Sequence, residues 1–194
     1  MLKPKPKVFI SYSRDSDEHC KAVLALADRL NRDAIDCKLD QYINGAPEEG
    51  FPLWTEKQMT TADYVLVICT KTYLNRWQGK EPEGIGQGVK WEILLITKML
   101  YDKDSRNKKF ISVLLATEDS QFIPTPLSSF SRYDLSQPTG YDSLYRKLTK
   151  QPLAIKPPSE GARILPPMNN VAGNPPFNVP VPRNPVFTGR EDIL

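Results

Sequence analysis

Histidine is nearly missing from this chain: His19 is the only one in 194 residues. That excludes histidine-rich metal sites and leaves a single candidate base for a serine or cysteine nucleophile. His19 stands among Asp17, Glu18 and Lys21, which reads as a solvated first helical turn rather than a catalytic base. Cysteine is scarce too. Cys20, Cys37 and Cys69 are odd in number and far apart, and the last two lie inside apolar segments. Buried reduced thiols are therefore expected, with no disulfide and no metal site. No apolar run reaches the length of a membrane span, and Met1-Leu2-Lys3-Pro4 does not open a signal peptide. A cytoplasmic protein without membrane contact is the expectation. The net charge is only +3, and no lysine or arginine cluster is interleaved with aromatics, so no nucleic-acid partner is expected.

Proline is abundant, but unevenly so. Ten of the 18 prolines fall between Pro152 and Pro185, and such a stretch cannot keep a helix or a central strand. Residues 1–151 are thus expected to form the folded domain, with Lys3, Lys5 and Lys7 in a solvated entry segment. Residues 152–187 read as an extended linker. The closing "FTGREDIL" turns ordered-looking again, so 188–194 reads as the start of a further module and the chain as one that continues.

Within the domain, strand and helix patterns alternate. "KVFISYS" is a β-branched and aromatic run, and Asp15 with Glu18 resembles a capping box before a helix carrying Val23, Leu24, Ala27 and Leu30 on one face. "IDCKLD" is a second strand, closed by the turn-rich "QYINGAPEEG". A helix with Leu53, Trp54 and Met59 leads to "DYVLVIC", an apolar run of the kind buried on both faces of a sheet. "KTYLNRW" begins another helical piece, and the four glycines of "GKEPEGIGQG" interrupt it. "KFISVLL" is a fourth strand, "SRYDLS" a weaker fifth, and Tyr141 to Lys150 a closing helix. The reading is an α/β, flavodoxin-like parallel sheet of about five strands with helices on both faces.

One residue breaks the pattern. In "GQGVKWEILLITKML" Glu92 falls on the same stripe as Leu95, Ile96 and Met99. A glutamate near a helix start complements the macrodipole, which is one reading. The other is functional, because ligands of open parallel sheets bind at the carboxyl ends of the strands, near the reversal in strand order. Ser11 to Asp17, Asp40 to Gly50 and the segment from Thr70 onward all belong to that edge, and the Glu92 helix begins in the last of these connections. Competing chemistries lack their residues there. No Gly-x-Gly-x-x-Gly follows the first strand, no Walker lysine motif occurs, and Gly84-x-Gly86-x-Gly88 reads as a flexible loop. Paired acids for phosphotransfer are absent after the first strand, and Ser11-x-Ser13 has neither a nucleophile elbow nor a base.

Taken as a set, "KVFISYS" with its acidic helix start, "LDQY" with a Gly/Pro-rich loop, "ADYVLVICT" and "GVKWE" resemble a SEFIR domain, a branch of the Toll/interleukin-receptor (TIR) superfamily. The resemblance covers about residues 6 to 150. The tail "NPVFTGREDIL" is similar to the junction before the nucleotide-binding module of STAND-type signalling ATPases. This implies an effector domain joined to downstream sensor or ATPase modules, in immune-type signalling or antiphage defence.

TIR-like domains either hydrolyse NAD or act as homotypic scaffolds. The enzymes use a glutamate at the start of the helix after the third strand, a position matched by Glu92. Their Trp-x-x-x-Glu pattern is not met: Gly88 stands four before Glu92, and Trp91 is adjacent. The resemblance implies an NAD+ glycohydrolase activated by self-association, releasing nicotinamide and ADP-ribose or a cyclic form. NAD+ is then the substrate, and neither cofactor nor metal is needed. The alternative is a non-enzymatic interaction module. Nicotinamide leaves NAD+ as a neutral molecule, so a single carboxylate facing the ribosyl cation suffices. Around catalytic Glu92 the expected substrate-binding residues are Ser11, Tyr12, Ser13, Arg14, Asp40, Tyr42 and Trp54, with Arg14 as a forked donor to the pyrophosphate and the aromatics as stacking surfaces. Ile43, Asn44, Gly45 and Pro47 are the expected self-association contacts, Ile43 having no obvious core partner.

Overall fold

The computed structural model describes residues 5–82, 84, 86–102, 107–158, 161–162 and 164–165. Its centre is a five-stranded, wholly parallel sheet in the order β2-β1-β3-β4-β5. The strands are β1 (Lys7–Ser11), β2 (Asp36–Lys38), β3 (Tyr64–Ile68), β4 (Phe110–Leu114) and β5 (Arg132–Asp134). The expected fold class is the observed one. Strand side chains alternate between faces, and this period sorts the core into two layers. Val8, Ile10, Tyr64, Leu66 and Ile68 pack with Val23, Ala27 and Leu30 of α1 (Asp17–Arg32) and Leu144 and Leu148 of α5 (Gly140–Thr149). Phe9, Val65 and Val67 point the other way. They meet Met59 of α2 (Phe51–Thr61), Tyr73 of α3 (Lys71–Trp77) and Ile93, Ile96 and Leu100 of α4 (Gln87–Tyr101). Both β3 and β4 are buried at every position, as strands covered on two faces must be. Each fully buried aliphatic side chain contributes about 1.5–3 kcal/mol, so the two layers supply the driving force for folding.

Local signals set most helix ends. Thr70 caps α3 by accepting from the amide of Tyr73 at 3.2 Å. At α1 the expected capping box is corrected. Ser16 is the N-cap and accepts from the amide of His19 at 3.1 Å. Asp15 is unavailable because its carboxylate takes the hydroxyl of Ser13. The four-glycine segment separates α3 from α4, with Gly86 as the N-cap of α4 at φ +67°. That backbone angle disfavours a side chain there, and a Cβ would also displace Arg76, whose Nε lies 2.6 Å from where it would stand.

The compact unit closes at Ile155, a few residues past Gln151. Among the described residues beyond Gln151 there is no helix or strand, as the prolines require. The expected module at 188–194 and most of the expected linker lie outside the described residues. No helix among the described residues is long and apolar enough to cross a membrane.

Candidate functional site

The chain reverses direction across the sheet between β1 and β3, so the crevice at their carboxyl ends is the topological switch point. Ser11 ends β1, and the period of two aims it with Phe9 toward the α4 layer. There it meets Glu92. The Ser11 hydroxyl donates to Glu92 Oε2 at 2.5 Å, and the Tyr73 hydroxyl lies 2.8 Å from the same Ser11 oxygen. Ser11 and Tyr73 are fully buried. Glu92 keeps some surface as a residue while its carboxyl end is enclosed. With Ser11 donating to Glu92, the Tyr73 hydroxyl donates to Ser11, so the chain runs from Tyr73 to Ser11 to Glu92.

Burial pushes the Glu92 carboxyl up to about 8, the nearby charge of Asp40 adding to the rise and the Ser11 hydroxyl opposing it. A carboxyl with that affinity is roughly one-tenth ionised at neutral pH. Burial also holds the Tyr73 phenol well above its ordinary range. A macrodipole role does not describe this glutamate, since its carboxyl is bonded to Ser11 rather than to the amides of the first turn of α4.

Asp40 organises the neighbouring loop. It accepts from the Tyr12 hydroxyl at 2.9 Å and from Arg14 Nη2 at 2.8 Å. Arg14 is exposed and gives Nη2 to Asp40, a contact that positions the guanidinium without using up its five N–H donors. One expectation is corrected here. Tyr12 is only 5% exposed and packs in the α1 layer, so its ring offers no stacking surface. Its phenol is raised by burial, with Asp40 adding to the effect. Ser13 is fully buried, bonded to Asp15 and 3.1 Å from the Thr70 hydroxyl, and serves to tie the β1 loop to the start of α3.

The other expected residues lie on the β2 side. Tyr42 is 45% exposed, but its hydroxyl donates to Asp28 at 2.7 Å and accepts from Asn31, which anchors it on α1. Burial and Asp28 raise that phenol to about 12. Trp54 is half-buried with its edge toward Phe9, ring centroids 5.8 Å apart. Tyr42, Ile43 and Trp54 line one groove of about 460 Å³ with Leu39 and Gln58. Ile43 is therefore half-buried in this groove, a correction to its expected exposure. Asn44 and Gly45 stand exposed beside it, Gly45 at φ +84°, and Pro47 is half-buried. The structure thus makes two groups: Glu92 with Ser11 and Tyr73, and the Tyr42–Ile43–Trp54 groove.

Two residues were missed by reasoning from the sequence. Tyr73 read as part of a helical piece, although its place one turn into the helix after β3 puts it at the functional edge. Thr70 opens the same connection, and no motif marks it before its hydroxyl is seen to cap α3. Cys37 and Cys69 are buried free thiols, as expected, and the described residues hold no cluster of His, Cys, Asp or Glu fit for a metal.

The sequence model of the SEFIR domain matches residues 6–148, nearly the whole folded unit. The chain belongs to the SEFIR family. The crystal structure of a prokaryotic SEFIR domain is similar to it at 31% identity and a TM-score of 0.57, covering 81% of this chain and 100% of that one. The SEFIR domain of interleukin-17 receptor B shares the fold at 19% identity and a TM-score of 0.53, over 77% of this chain and 98% of that one. No curated protein matches. The protein is thus a TIR-like signalling domain by family, and the Ser11–Glu92 contact is a feature of this SEFIR domain's own switch-point crevice.

Proposed function

We propose that this SEFIR domain hydrolyses NAD+ with Glu92 as its catalytic carboxylate, and that the Ser11-bound, largely protonated carboxyl is the resting form. The observation that carries the reading is the enclosed Glu92 carboxyl at the switch point, 2.5 Å from Ser11. Cleavage of the glycosidic bond expels neutral nicotinamide and leaves positive charge on the ribose, which an ionised carboxylate stabilises before water adds. A carboxyl held near 8 is poor at this while empty. The cationic nicotinamide ring of an arriving NAD+ favours the ionised form, so the substrate itself prepares the group. Ser11 then holds the carboxylate in place. NAD+ is the substrate, and the scheme needs no metal or further cofactor.

Admission of NAD+ to the enclosed Glu92 carboxyl is the step that self-association would drive, through the segment carrying Ile43, Asn44, Gly45 and Pro47. In the natural protein, downstream STAND-type modules would cluster the domain, in immune-type signalling or phage defence. The decisive measurement is nicotinamide release by artificially clustered protein. Glu92→Gln should lower the rate about 100-fold or more without lowering the melting temperature. A Gln variant as active as wild type would end the catalytic reading. Activity per molecule should also rise steeply with concentration, and exposed Asn44→Arg should flatten that rise.

A second reading is a non-enzymatic interaction module. It is favoured by large apolar side chains left on the surface of α2 and α4, namely Leu53 at 55% and Leu94 at 58% exposure, beside Trp91, whose Nε1 donates to the Pro52 carbonyl at 3.1 Å. Clusters that form yet release no nicotinamide at any density would select it.

A further inference from the structure

At the opposite end of the sheet from Glu92, where β3 begins and α5 ends, Lys108, Arg146, Lys147 and Lys150 line one groove of about 530 Å³, with Tyr64, Gln151 and Pro152. An adjoining hollow of about 180 Å³ shares Lys108 and Lys147. All four cations are exposed, and none forms an ion pair among the described residues. Two acids lie near in sequence. Asp63 accepts from the Lys7 amide at 2.8 Å, and Asp142, one helical turn before Arg146 on α5, forms no ion pair among the described residues. Arg146 donates to the Pro152 carbonyl at 3.2 Å.

Basic residues in a last helical turn complement the negative end of the macrodipole, which accounts for Arg146 and Lys147. It does not account for Lys108, which the segment entering β4 brings to the same groove. Four like charges that converge with no counter-ion among the described residues repel one another, and a multivalent anion relieves that repulsion. The chain as a whole carries only +3, so this patch is local, with no basic stripe for a nucleic-acid backbone to follow. The groove is shallow and open, and its volume of about 530 Å³ matches a compact ligand.

We propose that this groove is a binding site for a small, soluble polyphosphate anion. Lys108, Lys147 and Lys150 supply point charges, and Arg146 supplies a forked donor to phosphate oxygens. An anion that takes Arg146 competes with the Pro152 carbonyl, so occupancy is felt where the chain leaves the folded unit. The site is remote from Glu92 and stands whether or not that residue is catalytic.

The test is calorimetric titration of the full chain with inorganic tripolyphosphate. One saturable, salt-sensitive site is expected. The double variant Lys147→Glu/Lys150→Glu should weaken it at least about tenfold, which is roughly 1.4 kcal/mol. Lys21→Glu, an exposed charge on α1, should leave it unchanged. Circular dichroism of each variant keeps lost folding apart from lost binding, and Lys108→Gln gives a milder second variant of the same groove. Absence of a saturable site overturns the proposal, as does equal weakening by Lys21→Glu. Vesicles carrying a phosphorylated inositol lipid form the other arm: retention on vesicles without binding of free tripolyphosphate would assign the groove to a lipid headgroup and overturn the soluble ligand.

Discussion

Ser11 and Glu92, 81 positions apart, are joined by a 2.5 Å hydrogen bond that ties the end of β1 to the second turn of α4. The contact places a carboxyl with a raised proton affinity at the reversal point of the sheet. Its consequences are measurable without any assumption about substrate.

The first concerns pH. The folded protein binds the Glu92 proton more tightly than the unfolded chain, from an ordinary value of 4.5 to about 8. The stability that this provides is complete below the unfolded value. It is lost progressively as pH rises through that window, because the unfolded state ionises first. The melting temperature of Glu92→Gln should therefore fall less than that of wild type between about pH 5 and pH 9. Parallel curves would show that Glu92 does not titrate in this range.

Asp40 adds to the rise at Glu92, so Asp40→Asn should lower the pH at which Glu92 ionises. Side-chain carboxyl resonances, followed by carbon NMR through a titration, report this directly. An unmoved or upward-moved midpoint would contradict the electrostatic link between the two acids.

Ser11→Ala removes the donor that favours ionised Glu92 and leaves the buried Tyr73 hydroxyl without its partner. The midpoint of Glu92 should move up, and the domain should lose about 1–3 kcal/mol. Denaturant unfolding measures the second effect. A neutral Ser11→Ala variant would mean that the chain from Tyr73 to Glu92 carries no weight.

Gly140 opens α5, and a Cβ there would stand 1.8 Å from the Asp134 carbonyl oxygen. That neighbour is backbone and cannot swing aside. Gly140→Ala should thus cost more than about 2 kcal/mol, read by denaturant unfolding. A cost below about 0.5 kcal/mol would show that the β5–α5 turn gives way freely.

Removal of residues 156–194 should leave the melting temperature within about 4 °C, since a domain of this size moves by roughly that much per kcal/mol. The compact unit closes at Ile155, and Leu153 and Ile155 are 86% and 89% exposed. Thermal unfolding of the shortened chain is the check. A collapse would show that the proline-rich segment completes the core.

Local pattern determined the alternating elements, a parallel sheet of about five strands and the two-faced burial of β3, because strand and helix signals alternate along the chain and "DYVLVIC" is apolar at nearly every position. The odd place of Glu92 among Leu95, Ile96 and Met99 was legible from the helical spacing of three, four and seven residues. What the carboxyl touches was not. Ser11, Tyr73 and Glu92 come from three elements, and only the crossing of α3 and α4 over the end of β1 brings their oxygens together. Likewise Arg14 read as a free cation until the fold set Asp40 beside it, and Ile43 as exposed until the β2 groove half-covered it. Local sequence fixes which way a residue points along its own element. Partners across the fold depend on how elements pack, and that is where the charge of Glu92 was decided.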